Sequence, residues 1–151
     1  ITLAAAMAMG TCAVTASAAD GDKYTIGICQ LVQHEALDAA TQGFKDEVTK
    51  ELGEDAVTFD EQNAQGDSNT CSTIINSFVS NNVDLILANA PPALQAAAAG
   101  TSDIPILGTS VTEYGVALGL DDFDGTVGGN ISGTADLAPL DQQAAMLNEL
   151  F

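Results

Sequence analysis

Val83-Asp84-Leu85-Ile86-Leu87-Ala88 is a nearly continuous apolar run, of the kind that forms a strand covered on both faces inside a parallel sheet. Working outward, Pro92 to Ala99 is Ala-rich and reads as a helix with Pro92 in its first turn, and Ile104 to Gly108 reads as the next strand. On the other side, Cys71, Ile74, Ile75, Phe78 and Val79 fall at helical spacing and predict a helix from about Ser68 to Asn81. Val57 to Glu61 is a strand before it. Leu37, Ala40, Phe44, Val48 and Leu52 mark one face of a longer helix, from about Glu35 to Leu52, with Gly53 as its stop. Tyr24-Thr-Ile-Gly-Ile-Cys29 is too short for a buried helix and is β-branched enough for a strand.

Strand and helix alternate four times in this reading. That pattern predicts an α/β fold: a doubly wound parallel sheet with flanking helices and right-handed crossovers. Ligands of such sheets gather beyond the carboxyl ends of the strands, which directs attention to the loops 30–34, 89–92 and 109–114. After Gly108 the pattern loosens. Val116 to Leu120 is a short apolar stretch, residues 121–132 are rich in Gly and Asp, and Leu140, Ala144, Leu147, Leu150 and Phe151 mark the face of one more helix. No capping Gly follows Phe151, so the natural protein is expected to continue.

Composition narrows the function. The 151 residues fit one domain, able to bury roughly 70% of its extended surface. With no Trp and only 5% aromatic residues, Ala, Val, Ile and Leu must do most of the packing. Asp and Glu number 21 against 3 Lys and Arg, a formal net charge of −18. Nucleic acid is thereby excluded as a partner, because binding it requires cations to neutralise phosphates and Lys23, Lys45 and Lys50 are the only ones. Anionic membrane surfaces are disfavoured on the same ground, so any membrane association is expected to be peripheral.

Residues 1–19 read as an incomplete secretory signal peptide: an apolar, uncharged stretch from Ile1 to Val14, then Ala16-Ser17-Ala18 as the small-x-small cleavage site. Export to the periplasm or cell surface follows. A lipid anchor at Cys12 is the alternative, but Met9-Gly10-Thr11-Cys12 is a poor lipoprotein box, and cleavage near Ala18 or Ala19 is preferred. The remaining Cys29 and Cys71 lie in a strand and on an apolar helix stripe, and are read as buried thiols in preference to a disulfide. Neither has a His or second Cys at metal-ligand spacing, so no metal is expected.

A catalytic reading does poorly. His34 is the one histidine, with no Ser in a sharp Gly-flanked turn to activate, and it fits a ligand contact better than a general base. Asp121, Asp122 and Asp124 before Gly125 resemble part of a calcium loop, but the closing bidentate Glu is absent. Gly125, Gly128, Gly129 and Gly133 lack the spacing of a dinucleotide fingerprint, and no cofactor is expected. A binding site asks less: helix amino termini and a few hydroxyls or amides, of which Ser110, Thr112, Asn130, Ser132 and Thr134 are candidates, with a carboxylate favoured by the helix starts.

Four strings in order then resemble one family: residues 24–38 (YTIGICQLVQHEALD), 83–93 (VDLILANAPPA), 104–112 (IPILGTSVT) and 129–134 (GNISGT). Together they resemble the ABC-importer substrate-binding proteins of the tryptophan/tyrosine-binding type, over about Tyr24 to Phe151. The resemblance implies a type I periplasmic-binding-protein fold, two α/β lobes closing on a ligand, with residues 20–135 as the amino-terminal lobe and 136–151 as the start of the second. It implies a non-catalytic binder of a small amino-acid-like solute, aromatic ones included, that works with an ABC transporter permease; a ligand-sensing input domain of a receptor is the alternative with the same fold. Ligand contacts would fall at Gln33, His34, Ala90, Pro91, Ser110, Val111, Thr112, Asn130, Gly133 and Thr134. One departure stands out: members usually carry Asn-Ala-Thr-Pro-Ala where this chain has Asn89-Ala-Pro-Pro-Ala93, losing a hydroxyl and an N–H.

Overall fold

The computed structural model describes residues 23–150. The expected leader, 1–19, and Cys12 lie outside them. Five strands, β1 (Tyr24–Gln30), β2 (Val57–Asn63), β3 (Leu85–Asn89), β4 (Ile106–Val111) and β5 (Ile131–Ala135), form one parallel sheet in the order β2-β1-β3-β4-β5. The helices are α1 (Glu35–Leu52), α2 (Ser68–Ser80), α3 (Pro91–Gly100), α4 (Tyr114–Leu118) and α5 (Leu140–Leu150). The doubly wound α/β sheet expected from the alternation is the one found.

Alternation along β1 divides the core between the two faces. Ile26 and Ile28 point with Leu87 toward Phe44 and Val48 of α1. Cys29 points the other way, into a larger cluster built from Cys71, Ile75 and Phe78 of α2, Leu94 and Ala97 of α3, and Ile106 and Val111 of β4. Gly27 sits on that second face, where the Phe78 ring packs directly on its backbone: an added Cβ would meet three ring carbons at 2.6–2.9 Å. Cys29 and Cys71 are both buried and free, in keeping with the thiol reading. Burial pushes both thiols above the ordinary value of 9.0.

Boundaries moved where local chemistry overrides the apolar run. Strand β3 starts at Leu85, not Val83, because Val83 N–H closes a turn onto the Phe78 carbonyl at 3.2 Å and the Asp84 carboxylate accepts from Thr25 N–H at 2.7 Å. Strand β4 starts at Ile106, after Pro105, and runs three residues past Gly108 to Val111. Of the stretch 116–120, Val116 to Leu118 belong to the short helix α4, closed by Gly119 at φ 66°. Strand β5 went unforeseen: Ile-Ser-Gly-Thr-Ala lies at the sheet edge, mostly exposed, and so carries no apolar run to betray it. Along α5, Leu140, Met146 and Leu147 are exposed. Among the described residues no helix is long and apolar enough to cross a membrane, and no group of His, Cys, Asp and Glu is arranged to hold a metal.

Candidate functional site

All five strands are parallel, so their carboxyl ends share one edge; the chain steps from β1 outward to β2, then crosses back past β1 to β3 and continues in the other direction. That reversal is the topological switch point, where loops diverge and a crevice opens. Gln30 and Asn89 end β1 and β3 side by side there, and with Thr41 they are the buried polar residues among the described ones.

Around them the backbone is strained. Ala90 has φ 97° and ψ 157°, a region that is essentially glycine's, and Ser110, on the neighbouring strand end, has φ 56°. Ala90 N–H is held by the Thr109 carbonyl at 3.0 Å, which locks the two strand ends together. Strain of this kind costs about 1–3 kcal/mol per residue and persists where surrounding structure enforces it, chiefly at ligand sites.

Four helix amino termini open on this edge, and most of their donors are already used. The His34 side chain caps α1, its Nδ1 accepting from Ala36 N–H at 3.2 Å, so any ligand hydrogen bond from this ring falls to Nε2. Asp67 caps α2 through Asn69 and Thr70, and Glu113 caps α4 through Gly115 and Val116. Helix α3 has no side-chain cap, and Pro91 and Pro92 fill its first two positions, leaving Ala93 the first residue with an N–H to offer. The expectation that helix starts would favour a carboxylate is therefore weakened. Charge points the same way: Glu35, Asp38, Asp67, Glu113 and Asp136 flank the edge, while Lys45 pairs with Glu61 at 2.7 Å, Lys50 lies in the last turn of α1 beside Glu47, and Lys23 precedes β1 at the opposite edge.

The predicted contacts separate into two groups. Gln33, His34, Ala90, Pro91, Ser110 and Thr112 are gathered along the carboxyl edge. Val111 is there too, but its side chain is turned into the core and only its backbone faces the edge, with its carbonyl accepting from Asp136 N–H at 3.3 Å. Asn130 is not brought to them. It precedes β5, at the amino edge, where its amide donates to the carbonyls of Thr101 and Ile104 at 3.2 and 2.8 Å. Gly133 pairs with Gly108 in the middle of β5, and its missing side chain makes room for the Tyr114 hydroxyl, which donates to the Thr134 carbonyl at 3.2 Å. Burial pushes the Tyr114 phenol up. Sequence reading named none of Gln30, Asp38, Thr41 and Asn89 as contacts, although its loops 30–34 and 89–92 begin at two of them, and a polar residue ending an apolar strand, as in Cys29-Gln30 and Ala88-Asn89, is a signal it could have used.

The crevice itself is open. A cavity of about 410 Å³ lies beside β5, lined by Thr112, Tyr114, Phe123, Val127, Ile131 and Leu137.

The family described as ABC transporter substrate binding protein matches residues 25–151. This chain belongs to that family. A tyrosine-binding protein of Clostridioides difficile (strain R20291) is 42% identical over 129 residues, covering 83% of this chain and 36% of that protein. Two solved structures superpose with a TM-score of 0.75. One is a substrate-binding protein with adhesive properties from Clostridium difficile, in a ligand-free, open structure, at 41% identity over 83% of this chain and 43% of that one. The other is an ABC domain in complex with L-Trp from Streptococcus pneumoniae, at 31% identity over 84% and 43%. This ABC transporter substrate-binding chain thus has the periplasmic-binding-protein fold of its neighbours and spans about a third of the length of the curated relative and under half of the solved ones.

Proposed function

We propose that this chain forms one wall of the extracytoplasmic solute-binding component of an ABC importer, and that it binds a small amino-acid-like solute between two lobes, with aromatic amino acids first among the candidates. The observation that carries this reading is the pairing of strained Ala90 and Ser110 at the switch point of a chain of this family. The two relatives described as binding Tyr and holding L-Trp support the ligand class.

In this proposal Gln33, His34, Ala90, Pro91, Ser110 and Thr112 contact the solute, Val111 contributes backbone only, and Thr134 borders the wall. Asn130 and Gly133 are assigned to structure instead, for the bonds and packing given above. The acidic, lysine-free rim favours a ligand carrying an amine over a simple anion, leaving its carboxylate to neutral donors or the opposite lobe. The lobe ends near Ala135, and α5 begins the second lobe. No chemistry is performed. Ligand shifts the population from open to closed, and an ABC permease reads the closed form.

The test is a thermal-shift screen of the full-length protein against the twenty amino acids, small sugars and nucleosides. Ligand at about 100 times its dissociation constant stabilises the native state by roughly 2.7 kcal/mol, several degrees for a protein of this size. A shift confined to amino acids supports the reading. A shift with sugars or nucleosides alone overturns the ligand class.

A further inference from the structure

Beneath the crevice lies a buried hydrogen-bond network that joins three elements. The Asn89 amide, at the end of β3, donates to the Leu37 carbonyl at 2.8 Å and to the Thr41 hydroxyl at 2.9 Å, both on α1. Thr41 in turn donates to Gln30 Oε1 at 2.7 Å. The Gln30 amide, at the end of β1, donates to the Val32 carbonyl at 3.0 Å and to Asp38 Oδ1 at 2.6 Å. Every donor of the three side chains is used. Asn89 Oδ1 is not: it is fully buried and has no partner.

Stability alone is a poor account of this arrangement. Apolar residues of similar size would fill the same space without the desolvation of five polar groups, and without leaving one acceptor unpaired. Hydrogen bonds do what apolar packing cannot, since they are directional and fix the position of α1 along its axis and the course of the chain leaving β1. The bonds converge on the first two turns of α1 and on Val32, which bracket Gln33 and His34.

We propose that Asn89 is a positioning residue for ligand binding: through Leu37, Thr41 and Gln30 it holds the 31–34 loop and the start of α1 over the switch point. The proposal rests on the binding reading above. Its consequence is that loss of the network loosens one stretch of the wall and weakens solute binding out of proportion to any loss of overall stability.

The experiment compares Asn89→Leu, Thr41→Val and Thr41→Ser with wild type in the full-length protein, using Ile75→Val as a core substitution remote from the network. Amide hydrogen exchange is measured without ligand, and affinity by calorimetry with whichever amino acid the wild type binds. In Asn89→Leu and Thr41→Val, exchange over residues 31–38 should quicken by tenfold or more while α3 and β4 stay protected, and the dissociation constant should rise about tenfold. Thr41→Ser keeps the hydroxyl and should match wild type; Ile75→Val should lower the melting temperature and change neither readout. If Asn89→Leu does not fold, the Thr41 pair decides. Unchanged or uniformly raised exchange overturns the proposal, and so does local loosening with an unchanged dissociation constant. A wild-type protein that binds no amino acid sinks the binding reading and the proposal together, and shows as absent heat in the wild type, not as a difference between variants.

Discussion

Gly133→Ala separates packing from ligand contact at a position where sequence suggested the latter. A Cβ built on Gly133 would meet the Tyr114 hydroxyl and the Gly108 carbonyl far inside van der Waals contact, and the Gly108 nitrogen at 2.8 Å. Gly108 is β4 backbone in register with Gly133, so it cannot rotate away. Tyr114 can move only by giving up its hydrogen bond to the Thr134 carbonyl. Overpacking of this kind costs about 1–3 kcal/mol, and the lost hydrogen bond about 1 more, for a total of about 3 kcal/mol. With a urea slope of about 1–3 kcal/mol/M, the unfolding midpoint of the ligand-free full-length protein should fall by about 1–3 M. Tyr114→Phe in the same background should recover only a fraction, since it removes the hydroxyl and leaves Gly108 in place. A midpoint within about 0.3 M of wild type, accompanied by weaker ligand binding, would refute the packing argument and return Gly133 to the binding surface.

Three further outcomes follow from the same geometry. Gly27→Ala drives a methyl into the Phe78 ring and should cost about 1–3 kcal/mol by denaturant unfolding, but because that obstacle is a side chain, adding Phe78→Leu should cost less than the two single changes summed; strict additivity would contradict the contact. The folded core keeps the Cys29 and Cys71 thiols protonated above their ordinary value of 9.0, so the unfolded chain loses protons first, and stability that is full below pH 9 should fall as pH rises beyond it. A urea midpoint that is flat between about pH 8 and about pH 10.5, on either side of the ordinary thiol value of 9.0, or a fall that persists unchanged in Cys29→Ala, counts against that burial. Pro91→Thr in the full-length protein restores an N–H and a hydroxyl to the start of α3, and should tighten amino-acid binding about tenfold by calorimetry, the equivalent of about 1.4 kcal/mol; an unchanged dissociation constant would show that this position does not touch the solute.

Helices announce themselves in sequence when one face is buried along several turns. That is why α1 could be bounded to the residue, from Glu35 to Leu52, and α2 to within one. Strands covered on both faces, β1 and β3, were equally plain in type, although Asp84 was needed as a bond to Thr25 and so shortened β3. The edge strand β5 has neither signal, being Gly- and hydroxyl-rich and exposed, and it is paired because β4 offers it hydrogen bonds. The loops 30–34, 89–92 and 109–114 do lie together, since parallel topology alone sends every strand's carboxyl end to one edge.

Alternating strand and helix determined from sequence alone that this is a parallel α/β domain, and four short strings in order marked its family. Only the tertiary structure decided which polar residues share the crevice. Strand order placed Gln30 beside Asn89, 59 residues apart in the chain, and sent Asn130 to the opposite edge from Ser110. Periodicity records which side of an element is buried; the partner across a sheet depends on strand order and register, which pairwise packing of the whole chain sets.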